Sequence, residues 1–407
     1  MLDVSGASVA TLGGRVIYFD GVIYNRAHLI DAAAGTRSSA VAAPTDAALL
    51  LDRFAALGSA FLDEVIGDFI LAIHDSAART LQCFRDHVGI KPLFFHLDHQ
   101  RLLLASNPRE IAESSRVPAT ICREAVAVFL NEGALHDRRL TFQDSVRKLP
   151  GGMSLTVIDG DVVEDTYWRP DHVPVRSFDN EAACAAELLA LLQDAISIRV
   201  PADGATGAHL SGGLDSAAIC AIAAPIVAER GQRLQTFSWL PPPDGAKEAE
   251  QREWALGQKL ADELGADHHY TAFSTDDLAA VTERLDLRHY DNVDLWYEHK
   301  VRKEAQAAGV RILLSGWGGD EFVSCHGYYR YSDTFYRGKW WSTLRELYSA
   351  TRSGPLRLFR WLRLCFRLLV LLPLPGRAMF WQKGRYGNDY LAASSPAFAA
   401  YAGKVPR

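Results

Sequence analysis

The run His209-Leu210-Ser211-Gly212-Gly213-Leu214-Asp215-Ser216 has the composition of an anion site. Two glycines let a ligand approach the main chain where a Cβ would block it. Ser211 and Ser216 add hydroxyl donors. The apolar stretch 217–226 that follows reads as a helix, and a helix beginning here offers free N–H groups and the positive end of its dipole to a negative charge. This is a phosphate cradle. It is not of the Walker kind, because the second glycine is followed by Leu-Asp-Ser rather than by Lys-Ser/Thr. A carboxylate in an anion site, Asp215, makes chemical sense if Mg²⁺ lies between it and the phosphates.

A second run, Leu313-Leu314-Ser315-Gly316-Trp317-Gly318-Gly319-Asp320-Glu321, repeats the design: a strand leads into a Gly-rich turn that carries acids. On neighbouring strand ends, Asp215 and Asp320 would hold Mg²⁺ through few protein ligands. Taken alone, this run is also what a glycine-rich turn with two surface acids looks like. The first run resembles the SGGxDS pyrophosphate loop of the N-type ATP pyrophosphatases. That resemblance implies cleavage of ATP between its α and β phosphates.

The elements that must position these runs alternate. Residues 180–198 form a strongly periodic helix ahead of the cradle strand. Gln235-Thr236-Phe237-Ser238-Trp239 reads as a strand, 247–264 as a helix and 268–271 as a strand. Residues 276–286 and 297–308 read as helices and Val310–Leu314 as a strand. Short apolar runs between helices predict a parallel sheet with crossovers, and ligands on such sheets bind at the carboxyl ends of strands. Residues up to about Trp168 differ. Arg15-Val16-Ile17-Tyr18-Phe19, 69–74, 92–96, 101–105 and 154–158 read as strands separated by turn residues, with helices at Asp46–Leu57 and 122–130. The expected fold is therefore α/β: an α+β layered domain over 1–170, a polar linker with two prolines at 170–178, and a parallel-sheet domain over 178–407 with extra helices at its end.

Composition sets the class. The 407 residues are 48% hydrophobic and 23% charged, ordinary for a globular protein with two or three cores. A net charge of −6 implies no general attraction to nucleic acid. Six scattered cysteines without a C-x-x-C pair suit a reducing cytoplasm, and Met1-Leu2-Asp3-Val4-Ser5 opens no secretory signal. Residues 337–385 hold eleven Lys or Arg and one acid, Glu346. Within them 356–369 read as a basic amphipathic helix. Such a face suits a membrane surface or an acidic peptide, while a helical subdomain with a solvated basic face explains it as well. Its uninterrupted apolar run, 368–372, is too short to span a bilayer.

Further landmarks join the two runs. Asp20-Gly21-Val22-Ile23-Tyr24-Asn25 resembles an NGEIYN motif, 67–75 a G-x-F-A-F-x-x-x-D motif and 85–93 an RD-x-x-G-IKPLYY motif. Lys148-Leu149-Pro150-Gly151-Gly152 and Tyr167-Trp168 match L-P-P-G and YW landmarks, and 315–321 match SGEGADE. With these the chain resembles the asparagine synthetase family over nearly all its length. The resemblance implies a glutaminase of the N-terminal-nucleophile class, here incomplete, followed by an ATP-pyrophosphatase domain. It implies ATP and Mg²⁺ as cofactors. It assigns pyrophosphate to Ser211, Gly212, Gly213 and Ser216, metal to Asp215 and Asp320, and adenosine contacts to Leu210, Trp239, Ser315 and Gly316. Asp320, Glu321 and Trp317 join Asp215 as candidate catalytic residues.

Departures from the family refine this. The family's nucleophilic cysteine follows Met1; residue 2 here is leucine. The acid that grips the glutamine amine is Val22, its neighbouring asparagine is Asp20, and Asp46 alone still matches a glutamine-binding position. The expectation is no glutamine hydrolysis and a first domain that is a structural relic. Trp317 stands where the family has a glutamate that handles the aspartyl intermediate. The family's R-x-P-[FY]-x-D run and its transition-state lysine find no match before Arg407, so the resemblance implies either a fragment or a missing acceptor half. The branch it most resembles is the lasso peptide cyclases, which adenylate an Asp or Glu side chain of a precursor peptide and close it onto the peptide's own amine. That branch implies a peptide carboxylate substrate and a leader-peptide-processing protein as partner. A conventional asparagine synthetase acting on aspartate is the alternative, and a non-catalytic remnant that binds ATP or a peptide is a further one.

Overall fold

The computed structural model describes residues 7–33, 44–98, 101–114, 117–118, 120–132, 135, 137–239, 248–277, 279, 298–319, 323, 328–351 and 357–371. The chain divides into two compact units, one mainly Met1–Val126 with Leu135–Arg199, the other mainly Val200–Asp277 with Leu295–Arg407.

In the first unit, β1 (Ser8–Leu12) and β2 (Arg15–Ile23) form a hairpin whose loop residues, Gly13 and Gly14, have φ of 56° and 81°. Paired positive φ gives a two-residue loop the twist of its strands, and glycine adopts it without strain. Helices α1 (Arg26–Ala33) and α2 (Asp46–Leu57) follow, α2 starting where the Thr45 hydroxyl accepts the Ala48 N–H. Next come β3 (Gly67–Asp75), β4 (Thr80–Arg85), β5 (Phe94–Leu97), β6 (Leu102–Ala105), α3 (Pro108–Ala112) and α4 (Arg123–Glu132). Strands β7 (Arg147–Lys148), β8 (Met153–Ile158) and β9 (Asp161–Thr166) and helix α5 (Glu181–Ser197) complete the series.

Strands β1-β2-β3-β4-β8-β9 make one antiparallel sheet and β6-β5-β7 a second. Alternation along β3 feeds two cores. Phe69, Leu71 and Ile73 meet Leu29, Leu49 and Leu50 of the helices, while Ile70 and Ala72 meet Phe95 and Leu104 of the second sheet. The result is the layered α+β arrangement that the alternating runs predict. No strand is predicted at β1, a five-residue edge strand whose apolar Val9 and Leu12 stay exposed.

In the second unit β10 (Ala205–His209), α6 (Leu214–Glu229), β11 (Gln235–Ser238), α7 (Glu248–Leu264), β12 (Asp267–Tyr270), α8 (Glu298–Ala307) and β13 (Val310–Leu314) alternate. All pairings in the sheet are parallel, in the order β12-β11-β10-β13. The chain thus winds outward from β10 to β12, then returns to lay β13 on the other side of β10. The winding reverses between β10 and β13, and open parallel sheets bind ligands at the strand ends beside such a reversal. Helix α6 begins at Leu214, three residues before the predicted start, so Asp215 and Ser216 lie in its first turn.

Helices α9 (Tyr328–Tyr336), α10 (Trp340–Ala350) and α11 (Arg357–Cys365) enclose a small core of Leu347, Leu368 and Leu369 with Phe335 and Trp361. Leu358, Phe359 and Leu362 of α11 stay exposed. The predicted helix at 276–286 falls largely outside the described residues, as does the first residue of the predicted 356–369 helix. Among the described residues no helix is long and apolar enough to cross a membrane.

Candidate functional site

Strand β10 ends at His209, and the chain turns through Leu210–Gly213 into α6. Gly213 caps α6 in an extended conformation without a side chain to bond the first-turn N–H groups. Those donors are what an anion site needs. The serines brace the loop. Ser216 Oγ accepts the Ser211 N–H at 3.1 Å and lies 2.9 Å from Ser211 Oγ, which accepts the Gly213 N–H at 3.1 Å. A Cβ on Gly212 would stand 3.0 Å from Glu253 Cγ, so α7 packs directly against the turn.

The turn after β13 closes on the same helix start. A Cβ on Gly316 would lie 3.0 Å from the Ser216 nitrogen, and one on Gly319 only 2.3 Å from Cγ of Asp215. Glycine at 319 is what lets the main chain rest against that carboxylate. The Asp215 carboxylate forms no ion pair or hydrogen bond among the described residues. Asp320 and Glu321, the acids expected to work beside it, lie outside the described residues.

Around these turns is a cavity of about 500 Å³. Of the residues singled out from sequence, Leu210, Ser211, Gly213, Asp215, Ser216, Trp239, Ser315, Gly316 and Trp317 line it. Gly212 supports it from behind through its contact with Glu253. His209, Leu214, Phe237, Ser238 and Glu253, to which no role is assigned from sequence, also line it. His209, Phe237 and Ser238 sit one or two places from flagged strand ends, a signal that was there to be used. Glu253 comes from the middle of α7, where nothing local marks it.

The walls divide by chemistry. Leu210, Phe237, His209 and Ser238 are buried, while Leu214 and Trp317 stand exposed at the rim. Ser238 Oγ donates to the Leu210 carbonyl and lies 3.2 Å from Nε2 of His268, whose Nδ1 is 2.7 Å from Thr236 Oγ1. Burial, reinforced by the neighbouring His269, pushes the His268 imidazole down to about 4. It is therefore neutral, with Nε2–H donating to Ser238 and Nδ1 accepting from Thr236. On the other side His209 Nε2 is 3.2 Å from Glu298 Oε1, which also accepts Nε–H of Arg302 at 3.1 Å.

The first unit's flagged acids are engaged. Asp20 pairs with Lys91 at 2.8 Å, Asp46 with Arg26 at 2.7 Å, and Asp68 accepts the Tyr24 hydroxyl at 2.7 Å. Burial pushes the Asp68 carboxyl up, against the lowering effect of that hydrogen bond and of Arg199. Asp86 is fully buried and accepts the N–H groups of Gly89, Ile90 and Lys91 at 2.6, 2.9 and 2.9 Å. Val22, beside Asp20 on β2, is half-exposed and apolar.

Two family models divide the sequence along similar lines: residues 5–168 match the glutamine amidotransferase domain, and residues 187–378 match asparagine synthase. The chain belongs to the asparagine synthetase family. Similar family members include a putative glutamine-hydrolyzing asparagine synthetase of Mycobacterium bovis, 27% identical over 334 residues that cover 77% of this chain and 48% of that protein. Asparagine synthetase B of Escherichia coli is 26% identical over 332 residues, covering 77% of this chain and 53% of its own. Asparagine synthetase 2 of Bacillus subtilis is 25% identical over 335 residues, covering 76% and 42%. The chain spans about half the length of the curated relatives it matches. In this asparagine synthetase-family chain the amidotransferase landmarks fall on β2, β3 and the turn after β4, and the two Gly-rich runs on the ends of β10 and β13.

Proposed function

We propose that this chain is the core of an ATP-dependent amide-forming ligase that activates a carboxylate as its adenylate. The observation that carries the reading is the pair of Gly-rich turns closing on one cavity at the reversal between β10 and β13, with the Asp215 carboxylate in its wall unpaired among the described residues. A substrate carboxylate oxygen attacks the α-phosphorus of ATP and pyrophosphate leaves. An amine then attacks the acyl carbon, AMP leaves, and the amine proton passes to solvent or a base. The N–H groups at the start of α6 take the phosphate charge, and Leu210, Phe237 and Trp239 supply apolar wall for the nucleoside. Catalysis of this kind is charge neutralisation and positioning.

Mg²⁺ suits the site. Asp215 is a hard oxygen donor without a protein cation beside it among the described residues, and Mg²⁺ is usually held by one or two carboxylates together with phosphate oxygens. Asp215, with Asp320 as its proposed companion, would hold the ion. Bound there, it would offset the charge of departing pyrophosphate.

For the substrate we favour the side-chain carboxylate of a precursor peptide, closed onto the peptide's own amine. Trp317 at the rim offers an apolar wall where the family carries an acid. The names of the relatives favour the alternative, aspartate converted to asparagine. The test is AMP formation by the full-length protein, with an Asp- or Glu-bearing precursor peptide and with aspartate plus ammonia, in wild type and in Trp317→Glu. Peptide-dependent AMP formation, lost in Trp317→Glu because a second carboxylate then faces the one being activated, supports the cyclase. AMP formation with aspartate and ammonia that ignores the peptide restores the asparagine synthetase. No AMP with either leaves the remnant that binds without reacting.

A further inference from the structure

We propose that α11 docks on an anionic lipid surface, its arginines against the headgroup phosphates and its outer leucines and phenylalanines in the hydrocarbon beneath. The face lies outside the cavity, and the inference does not depend on the ATP reading.

One side of α11 is already fixed against the neighbouring helices. Trp361, Leu364 and Cys365 pack around Leu347, Leu368 and Leu369. Trp361 Nε1 donates to the Leu344 carbonyl at 3.2 Å, and the Arg357 guanidinium lies 4.1 Å from the centre of the Tyr348 ring. These contacts set the rotation of the helix about its axis.

A second apolar row is left outside. Leu358, Leu362 and Phe366 recur at every fourth position with Phe359 beside them, and all four are 53% to 63% exposed. Residues four apart share one face of a helix. Arg360, Arg363 and Arg367 recur at three- and four-residue spacing along an adjacent face, and all three are exposed. None of these guanidinium groups has an ion pair or hydrogen bond among the described residues. A helix on the surface of a core needs one apolar face, and α11 has two. Scattered exposed leucines are ordinary, whereas a row on a helix whose core face is filled marks an interaction surface.

The charge beside the row decides what covers it. Residues 337–385 carry eleven Lys or Arg and one acid in a chain of net charge −6, so positive charge is concentrated here. A lipid surface with acidic headgroups offers phosphates to the arginines and, just beneath, hydrocarbon to the leucines and phenylalanines. Arginine, leucine and phenylalanine side by side are the composition of helices that lie in such an interface. An acidic peptide would answer the arginines and leave the apolar row in water.

The experiment is flotation of the full chain with phosphatidylcholine vesicles and with vesicles of equal parts phosphatidylcholine and phosphatidylglycerol. It is run on wild type, on Arg360→Gln/Arg363→Gln/Arg367→Gln and on Phe359→Ser/Phe366→Ser. Wild type should bind the anionic vesicles on the order of 100-fold more tightly than the neutral ones, about fivefold for each arginine, and should lose most of that preference in about 1 M salt. The arginine variant should show no preference for the anionic vesicles. The phenylalanine variant should bind them about tenfold more weakly than wild type, or weaker still. Equal binding of wild type to the two vesicles, or binding to neither, overturns the inference, and this comparison decides even if a variant does not fold. Binding that survives either set of substitutions overturns it too. Two further measurements on lipid-free protein name the other occupants. A wild-type dimer in sedimentation velocity that Phe359→Ser/Phe366→Ser breaks, with no flotation, gives the row to a second copy. Capture of a poly-glutamate peptide, with no flotation, gives the arginines to an acidic protein. Either result replaces the lipid surface.

Discussion

In the first unit Asp20, Asp46 and Asp75 each sit within 2.8 Å of a lysine or arginine nitrogen, and Asp86 is closed around three main-chain N–H groups. In the second unit Asp215 and Glu253 line a cavity, and neither carboxylate has an ion pair or hydrogen bond among the described residues. Both units are sheet-and-helix layers and both carry conspicuous acids. The difference lies in whether the fold has already satisfied them. A paired carboxylate must lose its partner before it can take a ligand, whereas an unpaired one at a helix start beside Gly-rich turns is ready for a cation and its phosphates. By that criterion the named acids of the amidotransferase-like half are engaged in packing, whereas Asp215 and Glu253 of the synthase-like half have side chains open to a ligand among the described residues.

The comparison breaks most sharply at Asp215. Asp215→Asn should lower ATP-dependent pyrophosphate release by about 100-fold or more, since it removes the charge proposed to hold Mg²⁺. Asp320→Asn should do the same, and the double variant should lose little beyond either single one if the two acids act as a unit. Near-wild-type release in Asp215→Asn would mean that its unpaired state has no catalytic meaning.

Gly319→Ala comes next. The added Cβ, 2.3 Å from Cγ of Asp215, must push turn or carboxylate aside. Pyrophosphate release should fall about tenfold while circular dichroism stays that of wild type, because displacing a positioned group costs rate more than fold. Unchanged kinetics would show that the turn after β13 does not hold Asp215 in place.

The brace behind the cavity sharpens the contrast through pH. The folded His268 imidazole, near 4, lies below its ordinary value of 6.5. Its neutral form therefore contributes stability above pH 6.5 that is lost as pH falls toward 4. The contribution is on the order of 1 kcal/mol, since solvent partly screens the ring. Urea midpoints measured between pH 7 and 4 should fall less steeply in His268→Gln than in wild type. Parallel slopes would remove His268 as the titrating brace.

The smallest effects belong to the first unit. Lys91→Met should cost about 0.5 kcal/mol, the worth of a half-exposed ion pair, and leave pyrophosphate release unchanged. The 407-residue chain should release glutamate from glutamine no faster than a heat-killed control. Release above the control, or loss of release on Lys91→Met, would show that the pairing of Asp20 conceals a working site.

Strongly patterned elements were legible in the sequence. Helix Asp46–Leu57 and strand Val310–Leu314 have the predicted bounds, because an amphipathic face or a bounded apolar run carries its own signal. The edge strand β1 and the start of α6 were not. β1 is held by pairing along β2, and Asp215 and Ser216 look like loop residues until the helix dipole and N-terminal geometry enclose them. Of the cavity lining, the glycines and serines announced themselves by type. His209 looked like a strand residue and Glu253 like any charge on a helix.

By itself the sequence determined the two classes of layer, the Gly- and Ser-rich turn of Ser211–Ser216, and the family, because each is written in residue types at short spacing. Only the tertiary structure decided that β13 returns beside β10, that Gly319 rests on Asp215, that Asp20 meets Lys91 across 71 residues, and that His209 meets Glu298 across 89. The physical reason is separation. A dihedral preference or a periodic apolar face acts within a few residues, whereas the partner of a charge or a buried ring nitrogen is chosen by how the sheet winds.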